Sequence, residues 1–243
     1  MTVPKSSSVF LFAAALTLAL ASPAHATDGT VLITPAAASS GLPGCPLVGG
    51  TYITICHSGS YRLAGSLVVP AGETGISITA DNVTLDLNGF SISAAVASHG
   101  SGIISNNSDI TVENGAINSF VDGIALDYNL SVASDGDMVE GVTFISNAFD
   151  GVFISSGSIQ VTNCRFINNG HAYGNGAGAH LGFYTNYSVV ANVLNCLFVG
   201  NSYSGTLGLY FNSSVSGYGG STIADGVSGG TSMGTNVCRG AHC

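Results

Sequence analysis

Two aspartates recur one repeat apart, each followed by glycine, as Asp122-Gly123 and Asp150-Gly151. Paired carboxylates can divide general-acid and general-base work. Asp-Gly is first a turn pair, however, because Asp bonds to nearby backbone and Gly accepts left-handed dihedrals. Turn use is therefore the expectation. Glu113 and Glu140 hold equivalent repeat positions, and like charges a strand apart either share a cation or raise each other's pKa. No third ligand is evident beside them, so they read as solvated glutamates first and as a weak metal pair second. In the tail, Gly226-Val227-Ser228-Gly229-Gly230 matches a nucleophile elbow. That pattern carries meaning only between a strand and a helix, and this tail has no helix signal.

All six cysteines, Cys45, Cys56, Cys164, Cys196, Cys238 and Cys243, follow residue 26. An even number after an export signal reads as disulfides, here Cys45 with Cys56 and Cys238 with Cys243. Zinc is the rival, since Cys56-His57 and His242-Cys243 are adjacent pairs, but no C-x-x-C or finger spacing exists. Cys164 and Cys196 occupy one repeat position, and both a bridge and a buried thiol stack suit them.

Aromatic residues supply the other candidate chemistry. Taking the second residue after each repeat glycine gives Ser77, Ile104, Ala125, Phe153, Tyr184 and Tyr210, an outward row ending in three aromatics. A long insertion leading to it carries His171, Tyr173 and His180. Flat rings with nearby amides, hydroxyls and imidazoles suit a sugar, which offers an apolar face and orienting hydroxyls. Burial of the row beneath the insertion or the carboxyl-terminal tail is the competing expectation.

The elements that must position these residues show themselves as repeats. One unit is a glycine followed by alternating residues, starting at Gly75, Gly102, Gly123, Gly151, Gly182 and Gly208, at spacings of 27, 21, 28, 31 and 26 residues. A second unit lies between copies of the first: Leu87-Asn88-Gly89-Phe90-Ser91-Ile92, Val112-Glu113-Asn114-Gly115-Ala116-Ile117 and Val139-Glu140-Gly141-Val142-Thr143-Phe144. It returns as Val161-Thr162-Asn163-Cys164-Arg165-Phe166 and Val193-Leu194-Asn195-Cys196-Leu197-Phe198. Alternation of period two marks short strands, and Asn, Gly and Ser mark turns. Helix is disfavoured, since glycine costs roughly 1 kcal/mol per helical position and falls in nearly every turn. Short strands that cannot bury an apolar face alone do so by stacking, which predicts an all-β, single-stranded right-handed parallel β-helix with capped ends. Ile103, Ile124, Val152, Phe183 and Leu209 should form one inward ladder, and Phe144, Phe166 and Phe198 another.

Residues 1–26 have a secretory layout: Lys5, an apolar run from Val9 to Leu20, and Ala24-His25-Ala26 as a small-x-small cleavage site. The organisation expected is a signal peptide over 1–26, an N-terminal cap and first strand over 27–58, coils over 59–214, and a Gly/Ser-rich cap or tail over 215–243. Export to the periplasm, the extracellular space or the cell surface follows, with no membrane span left after cleavage. Arg62, Arg165 and Arg239 are the strong cations outside the signal. So few cations cannot neutralise a phosphate backbone, which argues against nucleic acid and, less strongly, against anionic polysaccharide.

The stretch from Gly59-Ser60-Tyr61-Arg62-Leu63 through Asp81-Asn82-Val83-Thr84-Leu85-Asp86-Leu87-Asn88-Gly89-Phe90, with Val112-Glu113-Asn114-Gly115 and Asp122-Gly123-Ile124, resembles exported bacterial β-helix proteins of the pectin-lyase-like superfamily. The resemblance covers roughly residues 50 to 215 and implies fold more than function, because one scaffold hosts lyases, hydrolases, epimerases and adhesins. It implies that a lyase would pair carboxylate-bound calcium with a basic residue, for which Arg165 and the Glu113–Glu140 pair are weak candidates. The aspartate and Gly-His-Gly motifs of polygalacturonases are missing. The leading expectation is a non-catalytic module without cofactor that binds a glycan or cell-envelope surface through Phe153, Tyr184, Tyr210, His171, Tyr173 and His180. Calcium enters only with the lyase alternative, and a structural, self-associating surface protein is the third reading.

Overall fold

The computed structural model describes residues 29–96, 100–126, 134–170, 183–185, 189–201, 208–211, 216–224, 227–233 and 236–238; at 39, 134, 183–185, 210 and 238 only the backbone is described. The chain winds as a right-handed β-helix in which, among the described residues, the strand pairs are parallel. Three strands per coil make three faces. The first face is an eight-stranded sheet running from Thr51–Ile55 to Val227–Ser228. The middle and third faces join into one fifteen-stranded sheet, because Ile110–Asn118 and Ser134–Ile145 each run round the corner between them. One short helical turn, Ala37–Ser40, sits in the amino-terminal segment.

The first repeat unit is the first face, in the expected register: Ile76, Ile103, Ile124, Val152, Phe183 and Leu209 align coil on coil. The second unit is the corner from middle to third face. Left-handed dihedrals at Asn114, Asn163 and Asn195 turn the chain there, which explains why asparagine recurs. One copy has a different register from the sequence reading. Leu85, not Leu87, aligns with Val112, and the two extra residues are absorbed at the corner by Asn88 and Gly89. Gly75, Gly102 and Gly123 answer to space rather than to turn geometry. A Cβ on Gly123 would lie 2.6 Å from Cδ1 of Phe144 and 2.5 Å from the Gly151 carbonyl oxygen.

Phe144, Phe166 and Phe198 stack inside the third face, fully buried, with ring centroids 5.0 and 4.5 Å apart. Three residues beyond each ring stands Asn147, Asn169 or Asn201, also fully buried. Each side-chain carbonyl accepts a backbone N–H from the preceding coil: Phe120 to Asn147 at 3.1 Å, Asn147 to Asn169 at 3.1 Å, and Asn169 to Asn201 at 3.0 Å. Their amides donate back to Ile117, Phe144 and Phe166 carbonyls and to one another. Buried polar groups survive only when paired in this way. The sequence signal, Phe-x-x-Asn three times at coil spacing, is one that the strand-and-turn reading passed over.

Strands at Gly217–Gly219, Thr222–Ile223, Val227–Ser228, Thr231–Ser232 and Val237–Cys238 carry the coils past residue 215. At the other end, Val31–Ile33 already pairs with Gly59–Leu63 as a rung of the middle face.

Phe166→Ala should cost about 3–5 kcal/mol, and Asn169→Ala about 2–4 kcal/mol through an orphaned N–H and a cavity. Urea denaturation of both variants measures these losses. A change below about 1 kcal/mol at either position would show that the ladders do not carry the coil stack.

Candidate functional site

The middle face presents a shallow groove of about 300 Å³ to solvent. Its floor is one side chain per coil, Thr111, Met138, Gln160 and Asn192, aligned in register. Ser158 and Val190 form one side, next to a bulge between Ser134 and Asp137. The bulge turns the Asp137 carboxylate inward, where its Oδ1 accepts the Ile110 N–H at 2.9 Å and the residue is 2% exposed. Hydroxyl, thioether and two amides thus repeat at the coil spacing of roughly 4.8 Å. None of these groups is charged, and together they offer donors, acceptors and a patch of apolar surface.

Two positions further along the same strands runs a row of carboxylates. Asp86, Glu113 and Glu140 align in consecutive coils, so the stacking expected of Glu113 and Glu140 is present and gains a third member. The register shift at Leu85 is what brings Asp86 into line. Arg62 closes the row, its Nε 3.0 Å from Oδ2 of Asp86. Asn163 donates its amide to Oε1 of Glu140 at 3.2 Å. Burial, then Asp86 and Glu140, hold the Glu113 carboxyl above its ordinary range, against a smaller opposing pull from Arg62. Arg165 is exposed on the third face, aligned with Thr143 and Leu197, and so lies round the corner from these carboxylates.

Asp122 and Asp150 are buried rather than displayed in an open turn, at 8% and 6% exposure. The Asp150 N–H donates to Oδ1 of Asp122 at 3.3 Å, and burial pushes the Asp122 carboxyl up to about 6 despite that bond. This is a stacked structural pair at the entry to the first face. Ser228 lies in a strand aligned with Tyr210, followed by Gly229 and Gly230 with positive φ and not by a helix, so no nucleophile elbow forms.

Cys45 and Cys56 form a disulfide with Cα atoms 5.5 Å apart. Ligand-type atoms of Cys45, Cys56 and His57 lie within 4.8 Å of one another, but sulfurs joined in a disulfide lack the thiolate charge that binds a metal. Cys164 and Cys196 are buried free thiols, which decides between the bridge and the stack. The Cys164 N–H donates to the Cys196 sulfur at 3.4 Å, and each S–H is within reach of backbone carbonyls. The hydrogen bond with the Cys164 thiol, together with burial, raises the Cys196 pKa far above the ordinary thiol range, against the opposing effect of the Cys164 N–H. Cys243, His171, Tyr173 and His180 lie outside the described residues, as does the side chain of Cys238.

The aromatic row keeps its register: Ala125, Phe153, Tyr184 and Tyr210 align in successive coils. Its exposure is less than expected. Thr54 and Ala125 on the same row are buried at 5% and 0%, and Phe153 is half-buried. The side chains of Tyr184 and Tyr210 lie outside the description. Tyr218 is a core residue, 4% exposed and stacked on Phe211 at 6.0 Å. Among the described residues most aromatics are buried, since their large apolar area gains most inside.

Fold and surface together define a parallel β-helix with a solvent-open groove on its middle face. Compared with protein-family models, curated proteins and solved structures, the chain has no match in any of the three. Among the described residues, no helix is long and apolar enough to cross a membrane.

Because the Asp122 carboxyl is raised from 3.8 to about 6, the unfolded chain ionises there before the folded one. Stability should fall as pH rises from about 4 to about 6 and then level off. Asp122→Asn retains an acceptor for the Asp150 N–H and removes the buried charge, so it should raise the urea midpoint at pH 7 and flatten that pH slope. A lower midpoint at pH 7 would show that the carboxylate is needed as such.

Proposed function

We propose that this protein is an exported, non-catalytic β-helix module that binds a glycan or a glycan-bearing cell-envelope surface. The groove carries this reading, with Thr111, Met138, Gln160 and Asn192 offering polar and apolar contacts once per coil. A chain of sugars needs such a repeating array, because each pyranose presents hydroxyls at its edge and a flatter apolar face. The signal layout of residues 1–26 supports export, and the resemblance to pectin-lyase-like proteins supports a carbohydrate context. Phe153, Tyr184 and Tyr210, with His171, Tyr173 and His180, are proposed as a second sugar-contacting face.

The non-catalytic part rests on the separation of chemical groups. Asp122 and Asp150 are buried and tied to backbone, while Arg165 and the Glu113–Glu140 row occupy different faces. A lyase needs its base and its carboxylate-held cation at one sugar unit, and the third and middle faces do not bring these groups together.

A glycan array probed with the secreted protein should give binding that Gln160→Ala plus Asn192→Ala weakens by about tenfold or more, as expected for two lost hydrogen bonds. Tyr184→Ala plus Tyr210→Ala tests the second face separately. Retention on no glycan and no envelope fraction would overturn the proposal.

A further inference from the structure

The geometry points to a glycan bearing protonated amines, a glucosamine-type polymer, as the occupant of the middle-face groove. This rests on the glycan reading above and adds its charge. The neutral floor, one side chain per coil, advances at a spacing comparable to that of an extended sugar chain laid along the helix axis. About 7 Å further along the strands, Glu113 and Glu140 stand beside Thr111 and Met138, Asp86 continues the row one coil beyond the floor, and the Gln160 and Asn192 coils carry Thr162 and Leu194 at that position. A pyranose seated on Thr111 and Met138 places a ring substituent beside Glu113 and Glu140.

Charge decides the class of occupant. Among the described residues the middle face has one arginine, Arg62, at the end of the row and engaged with Asp86 at 3.0 Å. Among the described residues Glu113 and Glu140 form no ion pair, Arg62 acting on Glu113 only at longer range, and Glu140 takes a neutral amide from Asn163. Burial first, and then the repulsion of Asp86 and Glu140, hold the Glu113 carboxyl above its ordinary range, and a cation laid beside the row relieves the repulsion. A uronate in the same place brings a carboxylate within about a Debye length of three others and is opposed. An aromatic sandwich is unnecessary here, since Met138 and Val190 provide the apolar contact.

Titration calorimetry on the secreted protein with a glucosamine hexamer, its fully N-acetylated counterpart and a hexagalacturonate, each with and without calcium, tests the assignment. The glucosamine hexamer should bind at least about tenfold more tightly than the acetylated one, and the difference should shrink as salt is raised. Glu113→Gln plus Glu140→Gln should abolish that preference while leaving thermal stability equal or higher. Met138→Lys, which places a cation on the floor, should weaken the glucosamine hexamer by about tenfold. Equal binding of the amine and acetylated hexamers would overturn the charge assignment and leave the glycan reading standing. Calcium-dependent preference for hexagalacturonate would overturn it in favour of a metal-bridged uronate. Failure of all three, together with an empty glycan array, would remove the glycan reading as well.

Discussion

In-register stacking governs this molecule. Each coil hydrogen-bonds to the next through parallel strands, so every side chain stands roughly 4.8 Å from the one at the same position in the neighbouring coil. A position therefore has to hold a residue that tolerates its own kind directly above and below. Phenylalanine does so by ring stacking, as Phe144, Phe166 and Phe198 show. Asparagine does so by chemistry: one amide carries both a donor and an acceptor, so Asn147, Asn169 and Asn201 satisfy each other and the backbone at a buried corner. The same residue in left-handed form turns the chain at Asn114, Asn163 and Asn195.

Where stacking brings like charges together, the outcome depends on the side of the wall. Asp122 and Asp150 are inside, and burial raises the Asp122 pKa until its proton is retained well into the mildly acidic range. Glu113 and Glu140 are outside, where solvent and the neighbouring Asn163 moderate the repulsion and leave a negative strip. Carboxylates in consecutive coils thus serve as a buried structural pair on one corner and as an electrostatic feature beside a groove on another. Sequence spacing alone treats the two pairs alike.

The cysteines follow the same division. Cys45 and Cys56 lie in irregular chain at the amino-terminal end, where no coil neighbour imposes parallel Cβ vectors, and they are bridged. Cys164 and Cys196 are neighbours in the stack, where those vectors run parallel, and they remain thiols held by backbone carbonyls. For the groove, stacking has a further consequence. Stacking fixes the spacing of contacts along the wall, while the differing rungs Thr111, Met138, Gln160 and Asn192, and the bulge before Asp137, set what each contact offers.

The sequence by itself determined the architecture, because period-two alternation and recurring Gly and Asn are local properties that stacking only repeats. The first-face ladder and the phenylalanine stack could be read for that reason. What the sequence left undecided required knowing which residues of neighbouring coils are level. Asp86 joins Glu113 only through two extra residues taken up at Asn88 and Gly89. Asp122 is buried and meets the Asp150 N–H of the next coil, and the groove lies beside a bulge in one strand. Asn147, Asn169 and Asn201 look like turn residues in the sequence, since burial of an amide depends on partners one coil away. Exposure of the aromatic row is likewise a tertiary matter: its register follows from the repeat, whereas the burial of Ala125 and the half-burial of Phe153 do not.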